Sequence, residues 1–389
     1  MATIAFSVDA MLPAMPEIAV ALSPDAPNRA QLIVTSFIIG LGLGTFIVGP
    51  LSDAYGRKPV VAVGSAIYIL GAALAWQAPS LEVLLVGRVI QGIGGSAARV
   101  VSIAIIRDLY TGRRMAQMMS LVLMIFALFP AVAPAMGAGI IHVAGWRSIF
   151  LAFLGFGVIS AAWFLLRQEE THPPEARRPF RQSIIRSGIG EISRDPDVLR
   201  VICALTLNFG MLFSLLSSIQ PIMDVTFDRA DSFHWWFMMI AVIAASASIL
   251  NARIVMRLGM RRVAIGALAL CMTTSAMLMA YGALGNWTHP AAFPLFMIWG
   301  TSIFWSMGLT IGNLNALAMA PLGHIAGLAA SLVGAVSTVA SMLIAIPVGQ
   351  MFNGTPMPTA LGVFTCALLG FVITRSVGEP SPDPQESNP

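Results

Sequence analysis

The chain has 389 residues, 57% of them hydrophobic and only 10% Asp, Glu, Lys or Arg, with a formal net charge of +4 and a mean hydropathy of +0.82. Roughly a quarter of a soluble domain is charged, so this composition excludes a soluble enzyme or a soluble binding module. Apolar runs of about 20 residues, enough to cross a bilayer, recur along the whole sequence. Backbone groups in lipid need internal partners, and the short alternating segments of a barrel are missing, so these runs are helices.

Apolar runs and turn signals predict twelve spans, at about 1–22, 31–51, 59–77, 81–105, 117–141, 148–167, 198–222, 233–252, 261–284, 292–315, 325–350 and 357–376. The fold class is an all-α membrane protein of two six-helix, pseudo-symmetric bundles, at 1–167 and 198–376. Of the 22 basic residues, Arg29, Arg147 and Arg229 fall in outer loops and Arg88 and Arg99 within spans, which leaves seventeen on the other side. The positive-inside rule then places both termini in the cytoplasm.

The first span contains Asp9-Ala10-Met11-Leu12-Pro13-Ala14-Met15-Pro16. Asp9 is the one carboxylate deep in an apolar run, a position suited to taking up and releasing a proton. Its alternative is a helix-capping residue in a short first helix. Only eight residues precede it, about 12 Å of helix, so either the natural start lies upstream or the first helix is short on its inner side. The turn after the second span, Gly49-Pro50-Leu51-Ser52-Asp53-Ala54-Tyr55-Gly56-Arg57-Lys58, concentrates an acid and two bases. Gly56 permits the tight turn, and Asp53 can cap a helix or pair with an arginine. Arg57 and Lys58 would serve equally in a turn that only fixes topology.

The fourth span carries Arg88, about 10 Å inside, followed by Gln91-Gly92 and Gly94-Gly95-Ser96. A buried arginine marks a functional site facing protein or water, or else pins the carbonyls of a broken helix. Gly92 and Ser96 give that span a small-residue face for a neighbour, and Arg99, near its inner end, snorkels or pairs locally. In the fifth span, Pro130 and Pro134 each remove a backbone hydrogen bond and bend the helix ahead of Gly137. Residues 168–197 mix Glu169, Glu170, Glu175 and Glu191 with five arginines and Pro173-Pro174. An amphipathic surface stretch or a solvated cytoplasmic linker explains them, and the linker is the expectation. The Pro- and acid-rich tail, 377–389, is expected to be disordered. Gly259 with Arg261 faintly echoes Gly56 with Lys58 between the second and third spans of the other half.

Cys203, Cys271 and Cys366 have no CxxC or metal spacing, and the five histidines are scattered, so neither a metal nor a cofactor is expected. The single lysine, Lys58, follows an arginine, which excludes a Walker A loop. Met11, Gln91, Asn208, Phe209, Phe213, Trp305 and Asn313 are candidates to line a central cavity, since aromatic and methionine surfaces adapt to varied apolar ligands. Each taken alone is equally ordinary packing or lipid contact.

The Gly49-x-x-x-Asp53-x-x-Gly56-Arg57-Lys58 turn resembles the loop signature of the major facilitator superfamily, with Ala54 in place of the usual base. The Arg88 segment is similar to that family's proton-coupling motif. Pro130, Pro134 and Gly137 resemble the fifth-helix motif of its proton-driven exporters, with Ala133 replacing a glycine. Asp9-x-x-x-Pro13-x-x-Pro16 and the 315–327 segment resemble the bicyclomycin-resistance-type drug:proton antiporters. The resemblance implies a monomeric, non-enzymatic transporter of the bacterial inner membrane, working on a small-molecule substrate and protons in the lipid bilayer, without nucleic acid. Asp9 would carry the proton, Arg88 would couple it to substrate, and the 49–58 loop would hold one state of the cycle. A proton symporter importing a metabolite is the alternative, and a non-transporting scaffold has no use for a buried Asp and Arg.

Overall fold

Proline dictates the first structural event in the chain. In the computed structural model, which describes residues 2–177, 182–285 and 287–378, the first span is two short helices and not one. α1 (Ala2–Asp9) stops, a single 3-10 turn runs through Leu12–Ala14, and α2 (Met15–Leu22) follows. Pro13 has no N–H to offer the Asp9 carbonyl, so the α-helical ladder loses a bond where α1 gives way to the 3-10 turn.

Eleven further α-helices have the lengths and apolarity of spans or the ends of spans. They are α3 (Leu32–Tyr55), α4 (Arg57–Trp76), α5 (Leu81–Leu109), α6 (Gly112–Ala144), α7 (Ser148–Arg167), α9 (Pro196–Pro221), α10 (Phe233–Leu258), α11 (Met260–Gly282), α12 (Ala292–Met319), α13 (Ala326–Gln350) and α14 (Met357–Ser376). With the broken first span, eleven candidates among the described residues are long and apolar enough to cross a membrane, and α6 supplies a shorter apolar stretch, Phe129–Ala144. Pro130 and Pro134 lie inside α6, which continues through both.

Local chemistry sets the boundaries. Ser80 caps α5, its Oγ accepting from the Val83 amide at 3.4 Å. Asp195 caps α9 by accepting from Asp197 and Val198, with Pro196 in the first turn where its missing N–H does no harm. Only Gly56, at φ +100°, separates α3 from α4, and only Gly259, at φ +82°, separates α10 from α11. Both lie in a region that L side chains avoid. The sequence echo between these glycines is thus also a conformational one.

The segment between α7 and α9 differs from the linker expectation. It contains a further helix, α8 (Gln182–Arg194), which packs on α9 and α13. Ile192 is buried among Val198, Leu322 and Leu332. Apolar residues at helical spacing give α8 one face to bury, the pattern of the amphipathic alternative. The expected disordered tail lies outside the described residues from 379 onward. Val377 is buried, and its carbonyl accepts from Arg261 Nη1 at 2.7 Å.

Glycines bring the helices together. α5 packs between α3 and α4. A Cβ on Gly92 would fall on the carbonyl oxygen of Phe37 in α3, and one on Gly94 on the amide of Tyr68 in α4. α3 and α13 run antiparallel along a long seam. Asn28, just before α3, meets Gln350 at the end of α13. A Cβ on Gly42 would lie 2.6 Å from Val339, and one on Gly49 would lie 3.0 Å from Ser331 Oγ. Gly92→Val should lower the unfolding midpoint of the protein in detergent by an amount equivalent to about 1–3 kcal/mol. An unchanged midpoint would show that α3 and α5 are not in close contact.

Candidate functional site

The break in the first span creates the site. The carbonyls at the end of α1 lack helical donors, and Arg88, fully buried on α5, supplies one. Its Nη2 donates to the Ser7 carbonyl at 2.9 Å, its Nε to the Ile33 carbonyl of α3 at 3.2 Å, and its Nη1 to Gln91 Oε1 at 2.7 Å. The guanidinium stacks over the Phe37 ring at 4.4 Å. One side chain therefore ties α1, α3 and α5 together. This is the carbonyl-pinning geometry weighed for Arg88 from the sequence.

Asp9, 5% exposed, stands two residues beyond the carbonyl that Arg88 holds. No hydrogen bond or ion pair reaches its carboxyl among the described residues, and Arg88 does not pair with it. It occupies the C-terminal end of α1, where the helix dipole opposes a negative charge. α6 closes over the same break, since a Cβ on Gly137 would overlap the Ala10 carbonyl. Met11, wholly buried, fills the turn itself. Asp9, Met11, Arg88, Gln91 and Gly137 thus gather at one place. Pro130 and Pro134 lie on α6, about two turns and one turn before Gly137 respectively.

The remaining cavity candidates do not join them. Asn208 on α9 donates to Thr310 Oγ1 of α12 at 2.5 Å, and its Oδ1 is buried without a partner among the described residues. Phe209 and Phe213 stack on each other with centroids 6.0 Å apart. On α12, Trp305 Nε1 donates to Ser246 at 3.1 Å and Asn313 Nδ2 to Asn251 at 2.8 Å, so both turn toward α10. A cavity of about 170 Å³ lies elsewhere, between Thr3, Ser65, Tyr68, Ser102, Ser160 and Phe164.

The turn at 49–58 is a second centre of charge. Arg57, 4% exposed, reaches Asp53 at 2.6 Å, Ser52 Oγ at 2.7 Å and Asp108 at 2.9 Å. Glu170, beyond α7, receives the backbone amides of Arg57 at 2.9 Å and Lys58 at 3.0 Å, capping α4 across the sequence. Lys58 thus contributes its amide. His172 donates its own amide to Glu170 at 3.0 Å, and its ring meets the Asp53 carbonyl at 3.2 Å. Burial pushes the Glu170 carboxyl up, but the three amide donors and Arg177 outweigh it and hold the group below its ordinary value of 4.5. Sequence reasoning identified Asp53 and Arg57 but missed Asp108 and Glu170. An acid 113 residues from the amide it caps leaves no local pattern.

Comparison with known proteins identifies the family and the fold. The family described as Major Facilitator Superfamily matches residues 1–346. The chain is 30% identical over 366 residues to the bicyclomycin resistance protein homolog of Haemophilus influenzae, covering 94% of this chain and 90% of that one. It is 26% identical over 382 residues to the multidrug resistance protein MdtL of Klebsiella pneumoniae, covering 96% and 92%. Among solved structures, a D-xylose-proton symporter superposes with a TM-score of 0.75 at 14% identity over 97% of this chain and 95% of that one, a likeness of fold.

Glu170→Gln keeps the shape of the cap and removes its charge. It should destabilise the folded protein at pH 7 by about 1–2 kcal/mol. Because the folded-state value is depressed, this contribution is complete above the ordinary value of 4.5 and is lost as pH falls through the lower folded value. Unfolding midpoints of the parent and the variant should therefore differ most at pH 7 and draw together as pH falls below 4.5. A gap that stays constant as the pH is lowered would sink the assignment.

Proposed function

Since the chain belongs to the Major Facilitator Superfamily, we propose that it is a proton-coupled secondary transporter that exports small amphipathic compounds by alternating access. It is a multi-pass membrane transporter and not an enzyme. The observation that carries proton coupling is Asp9, a buried carboxyl without a partner among the described residues, beside a carbonyl held by a buried arginine. Protonated, Asp9 is neutral, and Arg88 rests on the Ser7 and Ile33 carbonyls. Deprotonated, it puts a negative charge two residues from that contact and draws the guanidinium toward itself. The movement loosens α1 from α3 and α5 and lets the first bundle turn against the second. Each proton crossing a potential of 100 mV releases about 2.3 kcal/mol to drive the cycle.

The stacked Phe209 and Phe213, with Met11, Gln91, Asn208, Trp305 and Asn313, are the proposed contacts for substrate on the two bundles, 1–167 and 198–376. The Arg57 network at the 49–58 turn holds one state. The excess of basic residues on one side supports cytoplasmic termini, and the bacterial relatives support the inner membrane. The chain is proposed to work as a monomer. Export is favoured over import because relatives aligned over nine-tenths of their length bear the names of bicyclomycin and multidrug resistance. The likeness to a sugar symporter concerns the fold.

In everted vesicles carrying a preformed proton gradient, bicyclomycin or another amphipathic drug should trigger proton release. Asp9→Asn should reduce that release at least about tenfold, the effect of losing a proton carrier on about 1.4 kcal/mol or more of coupling. Asp9→Glu should retain part of it. Unchanged release in Asp9→Asn means that the proton travels elsewhere. Arg88→Lys keeps the charge but cannot span Ser7, Ile33 and Gln91 together. It should also abolish transport while the protein still reaches the membrane, and full activity would exclude the three-helix tie.

A further inference from the structure

The outer end of the α3–α13 seam is built differently from the charged turn at the inner end. Asn28 Nδ2 donates to the Gln350 carbonyl at 3.1 Å and to the Phe352 carbonyl at 2.8 Å. In return, Gln350 Nε2 donates to the Asn28 carbonyl at 2.9 Å. The carbonyls at the end of α13 are ones a helix leaves without donors, so Asn28 caps α13 from across the seam. One turn inward, Gln31, 2% exposed, accepts from Ser218 of α9 at 3.3 Å. A Cβ on Gly349 would overlap Gln31 Oε1, so the amide lies flat against α13.

We propose that Asn28, Gln31 and Gln350 form an uncharged clasp that closes the outer end of the transport path and must open for each substrate to leave. The proposal rests on the alternating-access reading above. The three side chains join the first span and its successor to α9 and α13, elements on opposite sides of the linker, and every bond in the clasp is between neutral amides, hydroxyls and carbonyls. Such bonds hold without a large desolvation penalty and break without separating charges, which suits a contact remade in every cycle. Gln31 Nε2 is buried with no partner among the described residues. The closed clasp therefore leaves one donor unmatched, and opening gives that donor to water or to the passing compound. Neighbouring charge stays outside it: Arg29 pairs with Glu82 at 2.9 Å, both exposed.

The test uses Ser214→Cys as a reporter, 1% exposed and one turn along α9 from Ser218. Cys203, Cys271 and Cys366 are replaced by Ser, and a membrane-impermeant maleimide is applied to intact cells. Asn28→Ala, which removes two hydrogen bonds, should raise the labelling rate about tenfold over the reporter alone, and Gln350→Ala, which removes one, should raise it less. A rate unchanged in Asn28→Ala, from either face of the membrane, overturns the clasp. A rise seen only in everted vesicles supports the clasp and overturns the proposed orientation. An Asn28→Cys, Gln350→Cys pair in the same background, oxidised in vesicles, should stop bicyclomycin transport until a thiol reductant is added. Continued transport by fully cross-linked protein would equally exclude the clasp.

Discussion

Everything at the candidate site hangs on one buried guanidinium and the backbone it holds. A free cation in a lipid-spanning bundle is unfavourable by several kcal/mol, and Arg88 offsets this with three hydrogen bonds and an aromatic face. The bond to Ser7 exists because α1 stops at Asp9 and leaves its last carbonyls without helical donors. Broken helix and buried arginine therefore need each other. Without the break, Arg88 would have no carbonyl of α1 to bind; without Arg88, the buried Ser7 carbonyl would lose its side-chain donor.

Close helix approach makes that tie possible. The glycines of α5 admit the backbones of α3 and α4 to contact distance, so the guanidinium reaches the Ile33 carbonyl without extending into open space. Gly137 does the same for α6 at the break. Small residues drive helix association in lipid, where burial from water contributes nothing. In this protein they also position polar chemistry.

The spans were legible because hydropathy is a property of each segment alone. Gly56 was legible as a turn because only glycine adopts its φ cheaply. The partners of Arg88 were not, because a main-chain carbonyl carries no residue signature. The prolines at 13 and 16 were visible, yet their effect depends on what receives the freed carbonyls, and that is a tertiary fact. Glu170 was hidden among the four glutamates of one segment, and only the fold brings it to the amides of Arg57 and Lys58. α8 shows the opposite weakness: its apolar spacing was on the page, but charge and Pro173-Pro174 outweighed it.

The α3–α13 seam touches at its outer end through Asn28 and Gly349, midway at Gly42 and Val339, and toward its inner end at Gly49 and Ser331. Two stiff rods joined this way behave as a seesaw, in which parting one end presses the other together. Opening both ends at once would require giving up the pivot. In electrical terms the proposed cycle makes the seam a break-before-make switch, one that would keep a proton-coupled carrier from short-circuiting the gradient that drives it.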